Sequence, residues 1–186
     1  CTKYLAGHND ILAGAAMGST EVIEPIRNLH KSMGGTIDPH CSYLLLRGIK
    51  TFPLRVALQN RSALAVAEFL ESHPAVEKVY YPFLKSHQHF DTAQKQMKGG
   101  GGVVTFEIRG DLETSKTFLD RLNLCYIGPS FGGVETLITH PALVSYYDYS
   151  RDERYELGIT DTLFRLAVGI EDTDDIIKDL TNGLEG

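Results

Sequence analysis

Lys3, Ser130 and Arg165 are side chains of this sequence whose types could carry chemistry, since they offer an amine, a hydroxyl and a guanidinium. A lysine amine can form an imine with a carbonyl compound when burial or a nearby cation lowers its pKa. Arg165 lies in an otherwise apolar stretch, where an unpaired guanidinium is costly, so an internal carboxylate or the carboxylate of a ligand is expected beside it. Taken singly, each residue also has an ordinary interpretation: a solvated lysine, an internal ion pair, and a serine in a glycine-rich turn.

A run of four glycines at 99–102 invites comparison with a phosphate-binding loop. The run lacks the Lys-Ser or Lys-Thr pair that follows such loops, and it leads into the apolar segment at Val103 instead of opening a helix. It therefore predicts a flexible turn before a strand.

Neither a metal site nor a disulfide is expected. The cysteines form no C-x-x-C motif and no even-numbered set, which favours free thiols. They are Cys1, Cys41 and Cys125. His87 and His89 could reach one metal ion, but they lie in a polar stretch that predicts a loop, and no other ligand cluster supports them.

Composition excludes some classes of partner. The chain has 186 residues and a net charge of −6, which disfavours a nucleic-acid backbone as partner. It contains no run of about 18 apolar residues, so no membrane-spanning helix is predicted.

The elements that must position these side chains are predicted from the apolar periodicity, which indicates strands separated by helices in an α/β or α+β layered fold. Helices are predicted at 21–33, in two pieces of a segment at 39–70 that Pro53 divides, at 115–122 and at 176–184. Strands are predicted at 11–17, 76–81, 104–108 and 164–168. A boundary between two structural units is expected near residue 60.

In combination, the short motifs of this sequence resemble the cystathionine γ-synthase-like family, the pyridoxal 5′-phosphate (PLP) enzymes of cysteine and methionine metabolism. T-K-Y-L-A-G-H at 2–8 resembles the family's S-x-T-K-Y/F-x-x-G-H motif, and the segment at 43–51 resembles its L-x-x-R-G-x-K-T stretch. Further matches follow in order at 34–35, 59–60, 79–82, 99–106, 130–135 and 165–172. Each motif is weak alone, but their order and spacing hold along nearly the whole chain.

The resemblance implies roles for four residues. Lys3 matches the lysine that holds PLP covalently and moves protons, and Thr2 matches a hydroxyl that contacts the PLP phosphate. Ser130 matches a serine that touches both the catalytic lysine and the substrate carboxylate. Arg165 matches the arginine that binds the substrate α-carboxylate, so the resemblance favours a ligand over an internal ion pair.

The implied activity is γ-replacement, in which an activated homoserine ester and cysteine give cystathionine in transsulfuration and methionine biosynthesis. Pro129 stands where bacterial γ-synthases and γ-lyases of the family tend to have an acidic residue. Together with the S-F-G-G sequence at 130–133 and the Y-Y-D sequence at 146–148, this departure resembles the plant-type branch. The alternatives are γ-elimination, as in cystathionine or methionine γ-lyases, and a non-catalytic truncated paralogue.

The resemblance covers the C-terminal half of a fold-type-I PLP-dependent transferase. Residues 1–60 are expected to form the edge of the large α/β PLP domain and a linking helix, and residues 61–186 the small C-terminal α+β domain. Alone, such a fragment is expected to bind PLP poorly and to be inactive, because the family's phosphate-binding loop and ring-stacking aromatic precede the matched region. The full-length enzyme is expected to be a homo-oligomer, a tetramer as is usual for the family. Its expected compartment is the cytoplasm, or a plastid if a transit peptide precedes the enzyme.

Overall fold

A five-stranded sheet forms the centre of the computed structural model, which describes residues 1–185. The strands are β1 (Val76–Tyr80), β2 (Val103–Ile108), β3 (Tyr126–Ile127), β4 (Leu137–Thr139) and β5 (Leu163–Ala167). Their order across the sheet is β1-β2-β5-β4-β3, with β3 and β4 parallel and the other neighbours antiparallel. The mixed α/β architecture predicted from the sequence is confirmed.

Helices occupy most of the remaining chain. They are α1 (Thr20–Met33), α2 (Pro39–Ile49), α3 (Phe52–Ser72), α4 (Phe90–Gln96), α5 (Leu112–Asp120), α6 (Arg151–Glu156) and α7 (Thr173–Leu184). The predicted division of the segment at 39–70 is confirmed: α2 ends before Lys50, and Pro53 lies in the first turn of α3, where its missing N–H costs nothing. None of the helices within residues 1–185 is both long and apolar enough to cross a membrane.

The core lies between one face of the sheet and helices α3, α5 and α7. The alternation predicted for β2 is observed, because Val104, Phe106 and Ile108 are buried. Phe106, Phe118 and Phe164 form an aromatic cluster with ring centroids 4.9–6.1 Å apart. Because successive side chains of a strand point to opposite faces, Arg165 projects away from this core, between Thr105 of β2 and Thr139 of β4.

One predicted strand is wrong. Residues 11–17 form no strand; only Ile11 is buried, whereas Leu12 and Met17 are 85% and 87% exposed. A strand requires a neighbouring strand to satisfy its backbone, and no strand within residues 1–185 pairs with this segment. The short elements β3, β4, α4 and α6 were not predicted, because each is too brief to establish a period.

The predicted division at residue 60 falls inside α3, which runs unbroken from Phe52 to Ser72. The assignment of residues 1–60 and 61–186 to two domains stays a prediction.

The loop that leads from α5 to β3 is fastened by the buried carboxylate of Asp179 on α7. Its oxygens accept hydrogen bonds from the backbone N–H groups of Asn123, Leu124 and Cys125, at 2.7, 3.0 and 3.0 Å. Burial and the nearby Asp179 carboxylate raise the pKa of the Cys125 thiol, so this thiol stays protonated at neutral pH.

Asp179→Asn should lower the free energy of unfolding by about 1–3 kcal/mol, because an amide has one acceptor oxygen for three backbone N–H donors. Chemical denaturation measures the change, with Asp175→Asn on the exposed side of the same helix as the matched control. Equal stability of the Asp179 variant and the wild type would contradict this account of the loop.

The turn at the start of the chain is held by the buried guanidinium of Arg55, which is 4% exposed. Nη1 donates to Tyr4 O (3.0 Å), Nη2 to Gly48 O (2.9 Å), and Nε to Thr51 Oγ1 (3.1 Å). A Cβ at Gly7, where φ is +79°, would lie 2.0 Å from Nη1, so only glycine fits beside the guanidinium. These bonds tie the residues that follow Lys3 to the junction of α2 and α3.

Arg55→Met should leave these carbonyls without their donors and accelerate amide hydrogen exchange in residues 1–7 by at least about tenfold. Hydrogen–deuterium exchange read by mass spectrometry measures the effect. Arg61→Met, at an exposed position of the same helix, is the control. If exchange in residues 1–7 is the same in both variants, Arg55 does not hold the turn.

Candidate active site

Lys3 and Ser130 come together although 127 positions separate them. The Lys3 Nζ lies 3.0 Å from Ser130 Oγ and donates a hydrogen bond to it. The turn that carries Lys3 is closed by backbone hydrogen bonds from Ala6 N to Cys1 O (3.0 Å) and from Gly7 N to Lys3 O (2.8 Å). The amine therefore projects from a fixed turn onto the loop that carries the serine.

The Ser130 loop fits closely against the Lys3 turn because it contains consecutive glycines. Gly132 has φ +78°, and a Cβ there would lie 2.8 Å from Tyr4 N. The buried Gln59 of α3 donates from Nε2 to Gly133 O at 2.7 Å and so fixes the loop from the other side. The glycines of this motif thus permit the close approach on which the contact between lysine and serine depends.

Arg165 reaches the same loop from β5. Nη2 donates to Pro129 O, to Ser130 O at 3.4 Å and to Thr139 Oγ1 at 3.3 Å. Nε is buried and has no hydrogen-bond partner among the described residues. Burial lowers the pKa of the guanidinium below its ordinary value, which still leaves it charged at neutral pH.

The internal ion pair that the sequence left open for Arg165 is not formed within residues 1–185, where no carboxylate lies within salt-bridge distance of it. A cation that is partly buried, held by neutral oxygens and left with an unused donor is suited to bind an anionic ligand group. This arrangement fits a carboxylate.

Phe131 joins the two cationic side chains. The Lys3 Nζ lies 4.9 Å from the centroid of the Phe131 ring, and Arg165 Cζ lies 5.5 Å from it. The Tyr4 ring packs against the same phenyl group, with centroids 6.2 Å apart. Phe131 belongs to the motif at 130–135, but the sequence gives no reason to expect its ring between the Lys3 amine and the Arg165 guanidinium.

The Thr2 hydroxyl is engaged locally. Its Oγ1 accepts from Ala13 N at 3.0 Å and donates to Ala13 O at 3.3 Å. A contact of Thr2 with the PLP phosphate stays a prediction.

The residues present fit the cofactor that the resemblance implies. Lys3 Nζ is paired with a neutral hydroxyl and forms no ion pair among the described residues, so its amine is available for a covalent bond to the aldehyde carbon of PLP. The free donor of Arg165 suits the carboxylate of an amino acid joined to that cofactor. A metal centre has no comparable support, because residues 1–185 contain no group of three or more His, Cys, Asp or Glu side chains placed to hold an ion.

Two further polar residues of this region were not singled out as site residues by the sequence. Asn9 accepts a hydrogen bond from Ser130 Oγ (3.1 Å), and Glu135 accepts one from Asn9 (3.2 Å). The available signal was their position in the sequence: Asn9 directly follows the motif that carries Lys3, and Glu135 ends the motif that carries Ser130.

Comparison with known proteins gives the same family as the sequence motifs, along almost the whole chain. Residues 1–185 match the family model of Cys/Met metabolism PLP-dependent enzymes. The chain is 50% identical over 184 residues to the chloroplastic cystathionine gamma-synthase 1 of Arabidopsis thaliana, covering 99% of this chain and 33% of that protein. It is 44% identical over 186 residues to an L-methionine gamma-lyase of Fusobacterium nucleatum subsp. nucleatum, covering 99% and 47%.

A solved structure is also similar. The crystal structure of cystathione gamma lyase (CalE6) from Micromonospora echinospora superposes with a TM-score of 0.93 at 35% identity, covering 100% of this chain and 49% of that one. The chain thus spans between a third and a half of the length of these relatives. Because the family model matches almost every residue and the fold agrees, this chain belongs to the PLP-dependent enzymes of cysteine and methionine metabolism.

Proposed function

We propose that the protein carrying this chain catalyses PLP-dependent γ-replacement, in which the sulfur of cysteine displaces the γ-substituent of an activated homoserine ester to give cystathionine. The observation that carries the proposal is the meeting of an amine and a guanidinium at one loop: Lys3 Nζ bonds to Ser130 Oγ, and Arg165 bonds to the backbone of the same turn. One group moves protons and the other holds a carboxylate, as the reaction requires.

PLP, when bound to the substrate amine, withdraws electrons from Cα and makes the protons on Cα and Cβ removable. The amine of Lys3 takes the Cα proton and returns a proton later, as a positioned general base and acid. Ser130 Oγ holds that amine by its hydrogen bond while it moves between the carbons. The ester group leaves from Cγ, the cysteine sulfur forms its bond there, and the thiol proton is released to a base.

Arg165 orients the substrate for these steps. Its buried, unpartnered Nε and its charge are suited to the α-carboxylate, and its bonds to Pro129 O and Thr139 Oγ1 keep the guanidinium plane fixed. An α-carboxylate fixed in this way determines which bond at Cα faces the lysine, and such orientation contributes to the rate as proximity does.

γ-Replacement is favoured over γ-elimination by similarity and by one substitution. The cystathionine gamma-synthases of Arabidopsis thaliana and Nicotiana tabacum are each 50% identical to this chain, against 44% for the L-methionine gamma-lyase. Pro129 precedes the motif serine, as the sequence resemblance expects of the plant-type branch. Elimination remains the second candidate, because the similar crystal structure is that of a lyase.

The proposal extends to assembly and compartment. The substrates are small amino acids, an activated homoserine and cysteine, and the working form is a homo-oligomer of the full-length protein, a tetramer. The exposed apolar side of α1 supports assembly, since Val22, Leu29 and Met33 are 58%, 60% and 77% exposed. The cytoplasm is the proposed compartment, with a plastid as the alternative suggested by the chloroplastic relatives.

The proposed reaction is tested on the protein expressed from the complete reading frame that contains this chain. O-acyl- or O-phosphohomoserine with cysteine should give cystathionine, detected by mass spectrometry, and cystathionine or methionine alone should give little keto acid. Rapid keto-acid release without cysteine would instead establish a γ-lyase. Lys3→Ala should reduce turnover by about 10²–10⁴-fold, the contribution of a positioned acid–base group.

Arg165→Lys should raise KM for the homoserine ester by about ten- to a hundredfold and lower kcat less, because the charge is retained while the forked donors are lost. Steady-state kinetics measures both constants. Arg109→Lys, exposed beyond the end of β2, is the matched control. An unchanged KM would remove Arg165 from the carboxylate role.

A further inference from the structure

A continuous chain of hydrogen bonds leads away from the Lys3 amine on the side of Ser130. Lys3 Nζ donates to Ser130 Oγ at 3.0 Å, and Ser130 Oγ donates to Asn9 Oδ1 at 3.1 Å. Asn9 Nδ2 then donates to Glu135 Oε2 at 3.2 Å. The lysine is thereby connected to a carboxylate through two neutral side chains.

Backbone features that carry a steric cost hold Asn9 in this series of hydrogen bonds. Asn9 has φ +55° and is the only non-glycine residue with a positive φ within residues 1–185. A Cβ at Gly133 would lie 2.1 Å from Asn9 Nδ2, so the amide lies directly over a residue that must have no side chain. Such conformations persist where the surroundings require them, and they concentrate at functional sites.

The Glu135 carboxylate fixes the direction of every hydrogen bond between Lys3 and Glu135. An ionised carboxylate only accepts hydrogen bonds, so the NH₂ of Asn9 must face Glu135 and its Oδ1 must face Ser130. Ser130 has a single hydroxyl proton, which is given to Asn9. A lone pair of Ser130 Oγ is therefore left for Lys3.

We propose that Asn9 and Glu135 are positioning residues that keep Ser130 as a hydrogen-bond acceptor for the Lys3 amine. This matters for a lysine that gains and loses a proton, because both the ammonium and the neutral amine have an N–H to donate to a lone pair. A serine free to turn its own proton toward Lys3 would repel the ammonium form. The catalytic consequence rests on the proposed function, whereas the direction of the hydrogen bonds does not.

Four variants separate this role from a merely structural one. Glu135→Gln removes the obligate acceptor, so the Asn9 amide can turn and present its NH₂ to Ser130. Asn9→Gly removes the acceptor of Ser130 and tolerates the positive φ. In the double variant Asn9→Asp/Glu135→Gln the carboxylate moves to position 9, where it accepts from Ser130 and from the new glutamine, and the order is restored. Gly133→Ala should resemble Asn9→Gly because its Cβ displaces the amide.

The first readout is kinetic and uses the protein expressed from its complete reading frame. Glu135→Gln and Asn9→Gly should each lower kcat by about three- to thirtyfold with KM within about twofold, and the double variant should recover most of the loss. In a Ser130→Ala background Glu135→Gln should have no further effect, since the residue acts through the serine. Glu113→Gln, on the exposed side of α5, is the control.

The second readout needs neither turnover nor bound cofactor. In the protein freed of PLP, trinitrobenzenesulfonate should modify Lys3 several-fold faster in Glu135→Gln, Asn9→Gly and Ser130→Ala than in the wild type, because the amine is released from its acceptor. The double variant should return to the wild-type rate. Peptide mass spectrometry quantifies the modification, with the exposed Lys178 as the internal reference.

The outcomes separate the two proposals. Labelling that follows this pattern in a protein that makes no cystathionine would leave the positioning role in place and overturn the proposed reaction. Cystathionine synthesis with a kcat and a Lys3 labelling rate indifferent to Glu135→Gln would overturn the positioning role and leave the reaction. A double variant no better than Glu135→Gln in either readout would also overturn the positioning role. Glu135 would then act only by stabilising the loop from its own position, where a carboxylate at position 9 cannot replace it.

Discussion

The hydrogen bond between Lys3 Nζ and Ser130 Oγ is the contact on which this structure depends, because it joins the first turn of the chain to a loop 127 positions later. Neither segment is part of a regular element, so each needs support from elsewhere. Arg55 holds the first turn by its carbonyl groups, and Asp179 holds the backbone that leads into the Ser130 loop. Lys3 and Ser130 thus lie on irregular backbone that buried charged groups fasten to α3 and α7.

The sheet positions the third side chain of the candidate site, Arg165. Arg165 occupies the middle of β5, between two neighbouring strands, so its position is fixed by the register of the sheet while its head group extends to the Ser130 loop. The two faces of β5 have different surroundings: Phe164 and Leu166 pack in the core, and Arg165 faces the candidate site. A strand that carries the residue proposed to bind a carboxylate, beside a glycine-rich loop that carries the hydroxyl, combines a precise position with close approach.

Much of this arrangement could be predicted from the sequence, for reasons visible in particular residues. The alternation of Val104, Phe106 and Ile108 indicated β2, and Pro53 indicated where α2 and α3 divide. Lys3, Ser130 and Arg165 were assigned through a resemblance whose motifs lie in order along the chain, and the family match confirms that resemblance. Residues 11–17 were wrongly assigned to a strand, because an apolar run does not reveal whether a neighbouring strand exists to pair with it. Asn9 and Glu135 were not predicted as a pair because their contact depends on the missing Cβ of Gly133, which only the folded backbone reveals.

Lys3 is the residue proposed to hold the cofactor. The most direct measurement is to express the protein from its complete reading frame, load it with PLP, reduce it with borohydride, digest it and locate the phosphopyridoxyl group by mass spectrometry. The group is expected on the peptide containing Lys3, and Lys3→Ala should abolish this labelling. A stoichiometric label on another lysine, or labelling that survives Lys3→Ala, would contradict this role of Lys3.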